Sequence, residues 1–276
     1  NNYWGIYLWH SSNNNTIYNN NASNNDDGIY LYYSCNNTIY NNTANSNNGD
    51  GIYLYYSCNN NTIYNNNANS NNDDGISLGY SSNNNTIYNN NANSNNGDGI
   101  HLYDSCSNTI YNNTASNNGD GIYLHWYSSN NKIYLNNFID NTDQVYSYYS
   151  TNIWNSTEQI TYTYNGKQYT NYLGNYWSDY TGSDTDGDGI GDTVYSIDGD
   201  KDYYPLVEPF ENYFLITENI FDTGPSSNPY PSIFGTHNGT ITPNQTITVS
   251  MLYTYPCAGT GGHAEYARIY NDSWGI

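Results

Sequence analysis

One short pattern recurs through the first half of the chain. The sequence Gly-Ile-x-Leu begins six times, with 22 to 24 residues between successive copies: Gly5, Gly28, Gly51, Gly75, Gly99 and Gly121. An Ile-Tyr pair follows the same period, at Ile17, Ile39, Ile63, Ile87, Ile110 and Ile133. A fixed period of this length is typical of a solenoid, in which each repeat forms one coil.

The apolar residues of each repeat are few, and they alternate with polar residues in short runs. Alternation with a period of two predicts β-strands rather than helices. One coil cannot bury its Ile and Leu residues alone, whereas stacked coils bury a continuous core. We therefore predict an all-β fold, a right-handed parallel β-helix of about six regular coils over residues 1–141.

Stacking would place equivalent residues of neighbouring coils about 4.8 Å apart. The Asn-rich corners should then form ladders, because Asn tolerates left-handed turns and can hydrogen-bond along a stack. The glycine that opens each coil after the first follows Asp, which we expect to reflect a turn with positive φ. Outward tyrosines should form one continuous ladder (Tyr18, Tyr40, Tyr64, Tyr88, Tyr111 and Tyr134) and a second one that Ser77 and His101 interrupt (Tyr7, Tyr30, Tyr53 and Tyr123).

Two further segments follow the repeats. Residues 142–210 lose the period and contain a hairpin signal around Asn165-Gly166, so we predict a cap over the last coil. Residues 211–276 gain Pro and lose Asn, and we predict a β-sandwich-like domain that is truncated or completed by a strand of a neighbour. The predicted partner is another copy of the chain, which would associate through residues 211–276 by strand addition or by end-to-end contact. Both ends read as processed or incomplete, because the chain begins inside a repeat without a signal peptide.

The charge balance excludes several functions. The net charge is −21, and only four side chains are Lys or Arg. Nucleic acid and anionic lipid surfaces need basic residues, so neither is an expected partner. Membrane insertion is not expected either, since no stretch reaches the roughly 18 apolar residues of a span.

The repeats, together with three later motifs, resemble the right-handed β-helix family that includes NosD. These motifs are Asn175-Tyr-Trp-Ser-Asp-Tyr180, Asp184-Thr-Asp-Gly-Asp-Gly-Ile-Gly-Asp192 and Asp202-Tyr-Tyr-Pro205, and they are similar to the end of such helices in archaeal cell-surface proteins. The same fold includes carbohydrate-binding and sugar-hydrolase proteins. The resemblance implies an extracellular or cell-surface location.

The acidic run near residue 190 predicts a calcium site. Alternate carboxylates on a glycine-bearing turn offer the hard oxygen ligands that Ca²⁺ prefers. A calcium-loop spacing fits Asp184, Asp186, Asp188, Ile190 and Asp192, although Tyr195 replaces the usual closing Glu. Asp198, Asp200 and Asp202 could complete the site or hold a second ion. The alternative is a solvated acidic turn.

A second acidic feature precedes the glycine of successive coils: Asp27, Asp50, Asp74, Asp98 and Asp120. Stacked carboxylates could bind calcium along this column. The alternative, which we favour, is that each carboxylate accepts hydrogen bonds from backbone amides of its own turn.

The thiols and imidazoles do not predict a metal centre. Cys35, Cys58 and Cys106 each lie seven residues after a coil glycine, so we expect one Cys/Ser ladder of free thiols. His10, His101 and His125 fall in different columns, and a copper site needs clustered His, Met or Cys.

Ligand and modification sites are suggested by two residue sets. Exposed aromatic rows suit stacking on sugar rings or on another copy of the chain, and the candidate row is Trp9, Tyr32, Tyr55, Tyr103 and Trp126. The glycosylation candidates are Asn155, Asn238 and Asn244, which begin Asn-x-Ser/Thr sequons.

These features favour an extracellular, calcium-stabilised structural protein of an archaeal-type surface layer, sheath or filament, without enzymatic activity or catalytic residues. The net charge would repel acidic polymers, and we find no break in the repeat at which a catalytic cleft would form. Asp104 is the one irregular acid on a strand face. The main alternative is a carbohydrate-binding or adhesion module that uses the aromatic and Asn ladders. A polysaccharide-processing enzyme and a NosD-like copper protein are less favoured.

Overall fold

The six Gly-Ile-x-Leu runs and the later segment Asp143–Ser147 form one seven-stranded parallel sheet, sheet A, in the computed structural model, which describes residues 2–214. Its strands come from successive coils: β1 (Trp4–Trp9), β3 (Asp27–Tyr32), β5 (Ile52–Tyr55), β7 (Ile76–Gly79), β9 (Ile100–Tyr103), β12 (Asp120–His125) and β15 (Asp143–Ser147). Identical positions pair across the sheet, so that Ile52 lies beside Ile76 and Leu54 beside Leu78. This register makes each repeat one coil.

Two further parallel sheets complete the coils. Sheet B contains the Thr-Ile-Tyr strands and the related Lys-Ile-Tyr strand: β2 (Thr16–Tyr18), β4 (Thr38–Tyr40), β6 (Thr62–Tyr64), β8 (Thr86–Tyr88), β10 (Thr109–Tyr111) and β13 (Lys132–Tyr134). Sheet C contains β11 (Thr114–Ser116), β14 (Asn137–Ile139) and β18 (Tyr176–Trp177), and single bridges continue it through the earlier coils. The predicted parallel β-helix is confirmed. The sandwich-like domain predicted for residues 211–276 lies almost wholly outside the described residues.

The core is a stack of small apolar layers. A regular coil buries one Ile and one Leu from sheet A, one Ile from sheet B and one Ala beside sheet C, as Ile52, Leu54, Ile63 and Ala68 do. All four are fully buried and belong to one continuous cluster. The core is therefore built only when coils stack, as the repeat predicts.

Asparagine ladders hold the corners. In the ladder through Asn66, the Asn66 side chain donates to Asn90 Oδ1 at 3.0 Å, and its own Oδ1 accepts from Asn42 at 3.0 Å. Two parallel ladders run through Asn61 and Asn71 in the same direction. Other Asn and Ser residues occupy left-handed corner positions, for example Asn65 with φ 54° and Ser70 with φ 59°. Asn therefore has both of the roles predicted for the corners: it forms hydrogen-bonded ladders, and it occupies left-handed backbone positions.

The glycines that open the coils have a different role from the one expected. Their φ angles are not in the left-handed region, which among the glycines of residues 2–214 holds only Gly166, Gly187 and Gly189. A Cβ on Gly51 would lie 2.7 Å from the Gly75 carbonyl oxygen and 2.8 Å from Ala68 Cβ. Close approach of neighbouring coils, rather than positive φ, requires glycine here.

A cap covers the last coil. Phe138, which replaces the small Ala, stacks on Trp177 with ring centroids 4.7 Å apart. Two antiparallel hairpins follow: β16 (Ile160–Tyr164) with β17 (Lys167–Asn171), turning at Asn165-Gly166, and β19 (Tyr195–Ile197) with β20 (Asp200–Asp202). A short 3-10 helix spans Phe210–Tyr213 and packs its buried Tyr213 against Tyr164. The cap ends the sheets without leaving the core open.

Candidate functional site

The outward face of sheet A carries two aromatic columns. Tyr7, Tyr30 and Tyr53 pair in register in one column, and Trp9, Tyr32 and Tyr55 pair in the next. The predicted ligand row therefore lies on this face, with Tyr103 two rungs beyond Tyr55 and Trp126 just after β12. Trp9 and Trp126 are about half exposed, at 53% and 52%. Tyr32, Tyr55 and Tyr103 are half-buried.

The tyrosine ladder of sheet B differs from these columns in ring geometry. Rings from Tyr18 to Tyr134 stack almost parallel, with interplanar angles of 5° to 7° and centroids 4.9 to 5.4 Å apart. Each inner ring therefore covers the faces of its two neighbours and offers only an edge to solvent. A ladder of this kind stabilises the stack and leaves little surface for a ligand.

Rings on sheet A and at the corner beside it are inclined to one another in the middle coils. Tyr55 meets Tyr80 at 88°, and Tyr80 meets Tyr103 at 50°. Tyr103 in turn is inclined by 47° to His125. Inclined rings leave parts of their faces open, which is the geometry needed for stacking on a flat ligand.

A third aromatic column lies at the corner that follows sheet A. Its members are His10, Tyr33, Tyr56, Tyr80, Trp126 and Tyr149, and all have left-handed backbone angles, with φ between 37° and 59°. Bulky side chains rarely adopt this conformation, which costs free energy unless the surroundings impose it. The other corners use Asn or Ser at most such positions. Aromatic rings at this corner are therefore maintained against local backbone preference.

The repeat pattern breaks on this face in two successive coils. In β7, Ser77 and Gly79 stand where neighbouring coils have Tyr53 and Tyr55. His101 follows in β9, and Asp104, with φ 47°, takes the place of a corner ring. From the sequence we predict Ser77 and His101 as interruptions of one tyrosine ladder and Asp104 as an irregular acid. Gly79 and the proximity of these four residues were not predicted, and a comparison of each coil with the repeat consensus would have found them.

His101 joins two acids at this break. Its Nδ1 lies 2.7 Å from Asp74 Oδ2 and 4.0 Å from Asp98 Oδ2. Burial acts to lower the pKa of His101, but the hydrogen bond to Asp74 and the negative charges of both acids outweigh it and raise the pKa. Nε2 of the ring is buried without a hydrogen-bond partner, and the ring meets Tyr123 edge to face at 5.0 Å. The cluster is thus an oriented imidazole within an acidic column.

The acidic column runs beside the aromatic face. Oδ1 of Asp27, Asp50, Asp74 and Asp98 accepts the backbone N–H of the next acid along, at 2.8 to 3.1 Å. The carboxylates thus bind backbone amides, as favoured, but the amides belong to the next coil. Burial and neighbouring carboxylates raise the pKa of Asp98 to about 7 and that of Asp120 to about 6. Residues 1–131 contain no Lys or Arg that could compensate these charges.

The loop predicted to bind calcium brings three carboxylates together. Asp184, Asp186 and Asp188 have ligand oxygens within 4.8 Å of one another. Asp184 also accepts the N–H groups of Gly187 and Gly189, at 2.8 and 2.9 Å, and Asp188 accepts that of Ile190 at 2.8 Å. Asp192 is turned toward Thr185, whose N–H it accepts at 2.9 Å.

Asp198, Asp200 and Asp202 have other partners. Asp198 accepts the N–H of Ser147 at 2.8 Å. Asp200 accepts the N–H of Asn152 at 2.7 Å. Asp202 is fully buried and accepts the Asn175 N–H at 2.8 Å and the Trp177 indole N–H at 3.0 Å. These acids tie the second hairpin of the cap to the last coils, and they do not join the group of Asp184, Asp186 and Asp188.

The cysteine ladder is corrected by the structure. Cys58 lies in a buried row with Ser34 and Ser82, and its N–H donates to Ser82 Oγ at 3.2 Å. Cys35 and Cys106 lie one column further out, each donating its N–H to an Asn side chain. The coils differ by one residue in this turn, so equal spacing from glycine does not give equal position. All three are free thiols.

The glycosylation candidates can be placed in part. Asn155 is half-buried, and its side-chain nitrogen, the atom that would carry a glycan, donates to the Ser156 carbonyl at 2.8 Å. Asn238 and Asn244 lie outside the described residues. The prediction of glycosylation stays a prediction.

This protein is a parallel β-solenoid with aromatic residues on the outward face of sheet A and a column of acidic residues along the edge of that sheet. A family model described as "Periplasmic copper-binding protein (NosD)" matches residues 1–182 of the 276. The chain therefore belongs to the NosD family, as its repeats predicted. No curated protein matches it. No helix within residues 2–214 is long and apolar enough to cross a membrane.

Two similar solved structures are both epimerases. A double mutant of the periplasmic alginate epimerase AlgG matches with a TM-score of 0.46 and 22% identity, over 56% of this chain and 43% of that one. The A-module of the Azotobacter vinelandii mannuronan C-5 epimerase AlgE6 matches with a TM-score of 0.36 and 17% identity, over 52% of this chain and 58% of the module. The matched part is thus about half the length of those chains. The likeness concerns the fold, and no residue role is transferred from it.

The prediction that the chain is not an enzyme is wrong in view of these neighbours, because one is named an alginate epimerase and the other a mannuronan C-5 epimerase. The argument behind it also fails on geometry. The sequence predicts no break in the repeat for a site, whereas in the structure four residues interrupt the aromatic face together: Ser77, Gly79, His101 and Asp104.

Copper is implied by the family description, and the residues present can be tested against it. Within residues 2–214, three groups could hold a metal ion, and only Asp74, Asp98 and His101 include a nitrogen ligand. Copper(I) prefers thiolate and thioether ligands, whereas none of the three groups contains sulfur. The Cys58 thiol donates to backbone carbonyls, and burial raises its pKa to about 11. This donor set does not fit a copper(I) site.

Proposed function

We propose that this protein binds a polysaccharide outside the cytoplasm, along the aromatic face of sheet A. The observation that carries the proposal is the inclined arrangement of rings in the middle coils, between Tyr55 and His125. Open aromatic faces stack on sugar rings, and the Asn and Asp side chains along the edges can hydrogen-bond to hydroxyls. The extracytoplasmic location agrees with the periplasmic description of the family. We also propose that the protein lies on the cell surface.

Replacement of one ring on each sheet of the same coil tests this function. Tyr103→Ala should weaken binding to polysaccharide by about tenfold, because it removes an inclined ring at the centre of the face. Binding can be measured by affinity electrophoresis in gels that contain single polysaccharides and by calorimetry with oligosaccharides.

Tyr111→Ala is the matched control. Tyr111 belongs to the same coil, but its ring is stacked between Tyr88 and Tyr134 on sheet B. Equal losses in both variants would show that the aromatic face of sheet A is not the binding surface.

Polysaccharide processing is a second candidate, favoured by the contact of His101 Nδ1 with Asp74 Oδ2 at 2.7 Å. An imidazole oriented by a carboxylate is a common general acid or base. The reaction would need His101 to expose its buried Nε2, for example by displacement of Tyr123. Time-resolved NMR of polysaccharides mixed with the wild type should show altered sugar signals that His101→Asn abolishes; unaltered spectra would leave binding as the sole function.

We propose that Asp184, Asp186 and Asp188 are ligands of a calcium ion, with the Ile190 carbonyl and Asp192 at the remaining loop positions. The clustered oxygens support this, because like charges so close together repel without a cation. Added Ca²⁺ should raise the melting temperature of the wild type, and Asp186→Asn should remove the rise. An unchanged melting temperature, with no ion detected by calorimetry, would contradict the proposal.

A structural role in a surface layer or filament rests on self-association through residues 211–276, which lie almost wholly outside the described residues. Analytical ultracentrifugation of the full chain tests it. A monomer at all concentrations, with and without Ca²⁺, would be evidence against assembly.

A further inference from the structure

We infer that the cap-side end of sheet A anchors a polymer of amine-bearing sugars, which contacts exposed rings on one side of the sheet and carboxylates on the other. The inference rests on the proposed polysaccharide-binding function. It adds the position of the anchoring site and the chemical class of the sugar.

Four exposed rings adjoin one another at the corner after the last two strands of sheet A. We call them the corner patch: Trp126, Tyr127, Tyr148 and Tyr149. Tyr127 and Tyr149 are 64% and 68% exposed, and their ring centroids are 6.5 Å apart. Trp126 adjoins Tyr127 at 6.4 Å, and Tyr148 adjoins Tyr149 at 4.1 Å. An exposed aromatic surface of this kind is typical of a binding site.

Tyr127 stands where the repeat has serine. In coils with this turn length, the residue after the corner ring donates its N–H to the corner residue of the next coil, and it is Ser11, Ser57, Ser81 or Tyr127. All four have left-handed backbones, with φ between 50° and 65°. Serine is enough to make the turn, and a bulky residue in this conformation costs free energy. The Tyr127 ring is mostly exposed, so the fold gains little from it, and contact with a ligand accounts for its presence.

Carboxylates lie at the opposite end of the same two strands. Asp120 and Asp143 begin β12 and β15, and they pair in register. Burial, the neighbouring tyrosine and the negative charges of Asp98 and Asp120 raise the pKa of Tyr123, so these acids lie beside the outward rings. The ion pairs within residues 2–214 all belong to His101, and neither Asp120 nor Asp143 therefore has a cationic partner.

One ligand can contact both halves of the site. The strand from Asp120 to His125 is about 17 Å long, since each residue adds about 3.3 Å. The corner patch begins at the next residue, Trp126. An oligosaccharide that lies along the outward side of β12 and β15 therefore reaches the acids at one end and the rings at the other.

The charge of the chain selects the class of sugar. The net charge is −21, and Lys132, on sheet B, is the only Lys or Arg of residues 1–166. This balance repels a polymer of uronic acids, and it also repels a second copy of the chain. A protonated amine is attracted to aromatic faces and donates hydrogen bonds to carboxylates. Amine-bearing sugars therefore use both halves of the site, whereas neutral sugars use only the rings.

Tyr127→Ser is the sharpest test, because it restores the residue of the repeat. The variant should keep the melting temperature of the wild type, since Ser11, Ser57 and Ser81 occupy the same turn. It should bind a glucosamine hexamer about tenfold more weakly, measured by calorimetry at about pH 6, where amino groups are protonated. Tyr18→Ala removes another exposed ring, on sheet B, and should bind as the wild type does.

N-acetylation of the ligand isolates the role of charge. The wild type should bind the glucosamine hexamer at least about fivefold more tightly than the N-acetylglucosamine hexamer, and added salt should reduce this difference. Asp143→Asn should also reduce it, because the change removes an exposed charge and keeps the shape of the side chain. Glu158→Gln removes an exposed acid of the cap and should leave the difference unchanged.

The outcomes separate this inference from the proposed function. If the wild type binds no polysaccharide, the proposed function and the anchoring site both fail. If the wild type binds, but Tyr127→Ser binds the glucosamine hexamer equally well, the anchoring site alone is overturned. Equal or tighter binding of the N-acetylated hexamer or of an oligouronate would also overturn it. Self-association in sedimentation that Tyr127→Ser abolishes would instead assign the corner patch to a second copy.

Discussion

At the scale of single residues, buried asparagines stabilise the corners of the solenoid through hydrogen bonds. Asn66 is fully buried, and its side-chain nitrogen donates to the Ile39 carbonyl, the Tyr64 carbonyl and Asn90 Oδ1, each at 3.0 Å. An amide suits this position because one side accepts while the other donates. Asp and Ala lack that combination, and Ser offers one O–H donor in place of two N–H donors. The abundance of Asn therefore reflects hydrogen-bond satisfaction inside the corners as well as turn preference.

Asn66→Asp should cost about 3 kcal/mol of unfolding free energy, because a carboxylate would face three oxygen atoms that now accept hydrogen bonds. Chemical denaturation measures the change. The control is Asn67→Asp at the adjacent exposed position, where the side-chain oxygen still accepts from Asn91. A loss as large in the control would mean that the effect comes from added charge rather than from the buried ladder.

At the scale of elements, the acidic column sets a dependence of stability on pH. The pKa of Asp98 is about 7 in the folded chain, because of burial and Asp74, against about 3.9 in an unfolded chain. The folded state therefore binds a proton more tightly than the unfolded state between these values. Stability from Asp98 is fully present below about pH 4 and is lost as the pH rises through about 7. His101, whose folded pKa is also raised, acts in the same direction.

We expect the melting temperature of the wild type to be roughly 5 °C higher at pH 5 than at pH 8. Asp98→Asn should reduce this difference, since the amide can still accept the Asp120 N–H without carrying charge. The exposed Glu158→Gln serves as the control and should leave the difference unchanged. A wild-type melting temperature that rises from pH 5 to pH 8 would contradict the assignment of raised pKa values to the column.

Periodicity could be predicted from the sequence because each coil repeats the same local interactions. The strands, the buried Ile and Leu, and the Asn corners followed from residue spacing alone. The row of Cys58 with Ser34 and Ser82 did not, because the turn between Leu31 and Ser34 is one residue shorter than that between Leu54 and Cys58. Spacing also predicted Asp200 and Asp202 as possible ligands beside the calcium loop. In the structure they instead accept hydrogen bonds from Asn152 and Asn175, which are distant in the sequence.

At the scale of the whole molecule, stability depends on the ends as well as on the repeats. Each coil touches only its neighbours, so an unprotected last coil would lose its partners on one side. The cap supplies aromatic partners, with Trp177 stacked between Phe138 at 4.7 Å and Tyr195 at 4.5 Å. Its indole N–H also donates to the buried Asp202. One residue thus joins the core, the hairpin and the buried acid.

Trp177→Ala should cost about 3 to 5 kcal/mol, because it opens a cavity and leaves the Asp202 carboxylate with one donor fewer. Unfolding should begin at the cap, which hydrogen exchange would detect as faster exchange in β14 and β18 than in β4. Trp126→Ala, at an exposed position, should change stability by less than about 1 kcal/mol. Uniform acceleration of exchange along all coils would contradict a role confined to the end.

Each of the two ladders that end on Asp200 and Asp202 also has an electrical direction. In each ladder the amides of one coil donate to the side-chain oxygen of the next, through Asn131 and Asn152 to Asp200, and through Asn136 and Asn175 to Asp202. Because all these amide dipoles point the same way, their partial positive charges accumulate toward the cap, as those of a helix accumulate at its first turn. The carboxylates of Asp200 and Asp202 lie at the positive ends of these two ladders, so the residues that end the ladders also balance the charge that accumulates there.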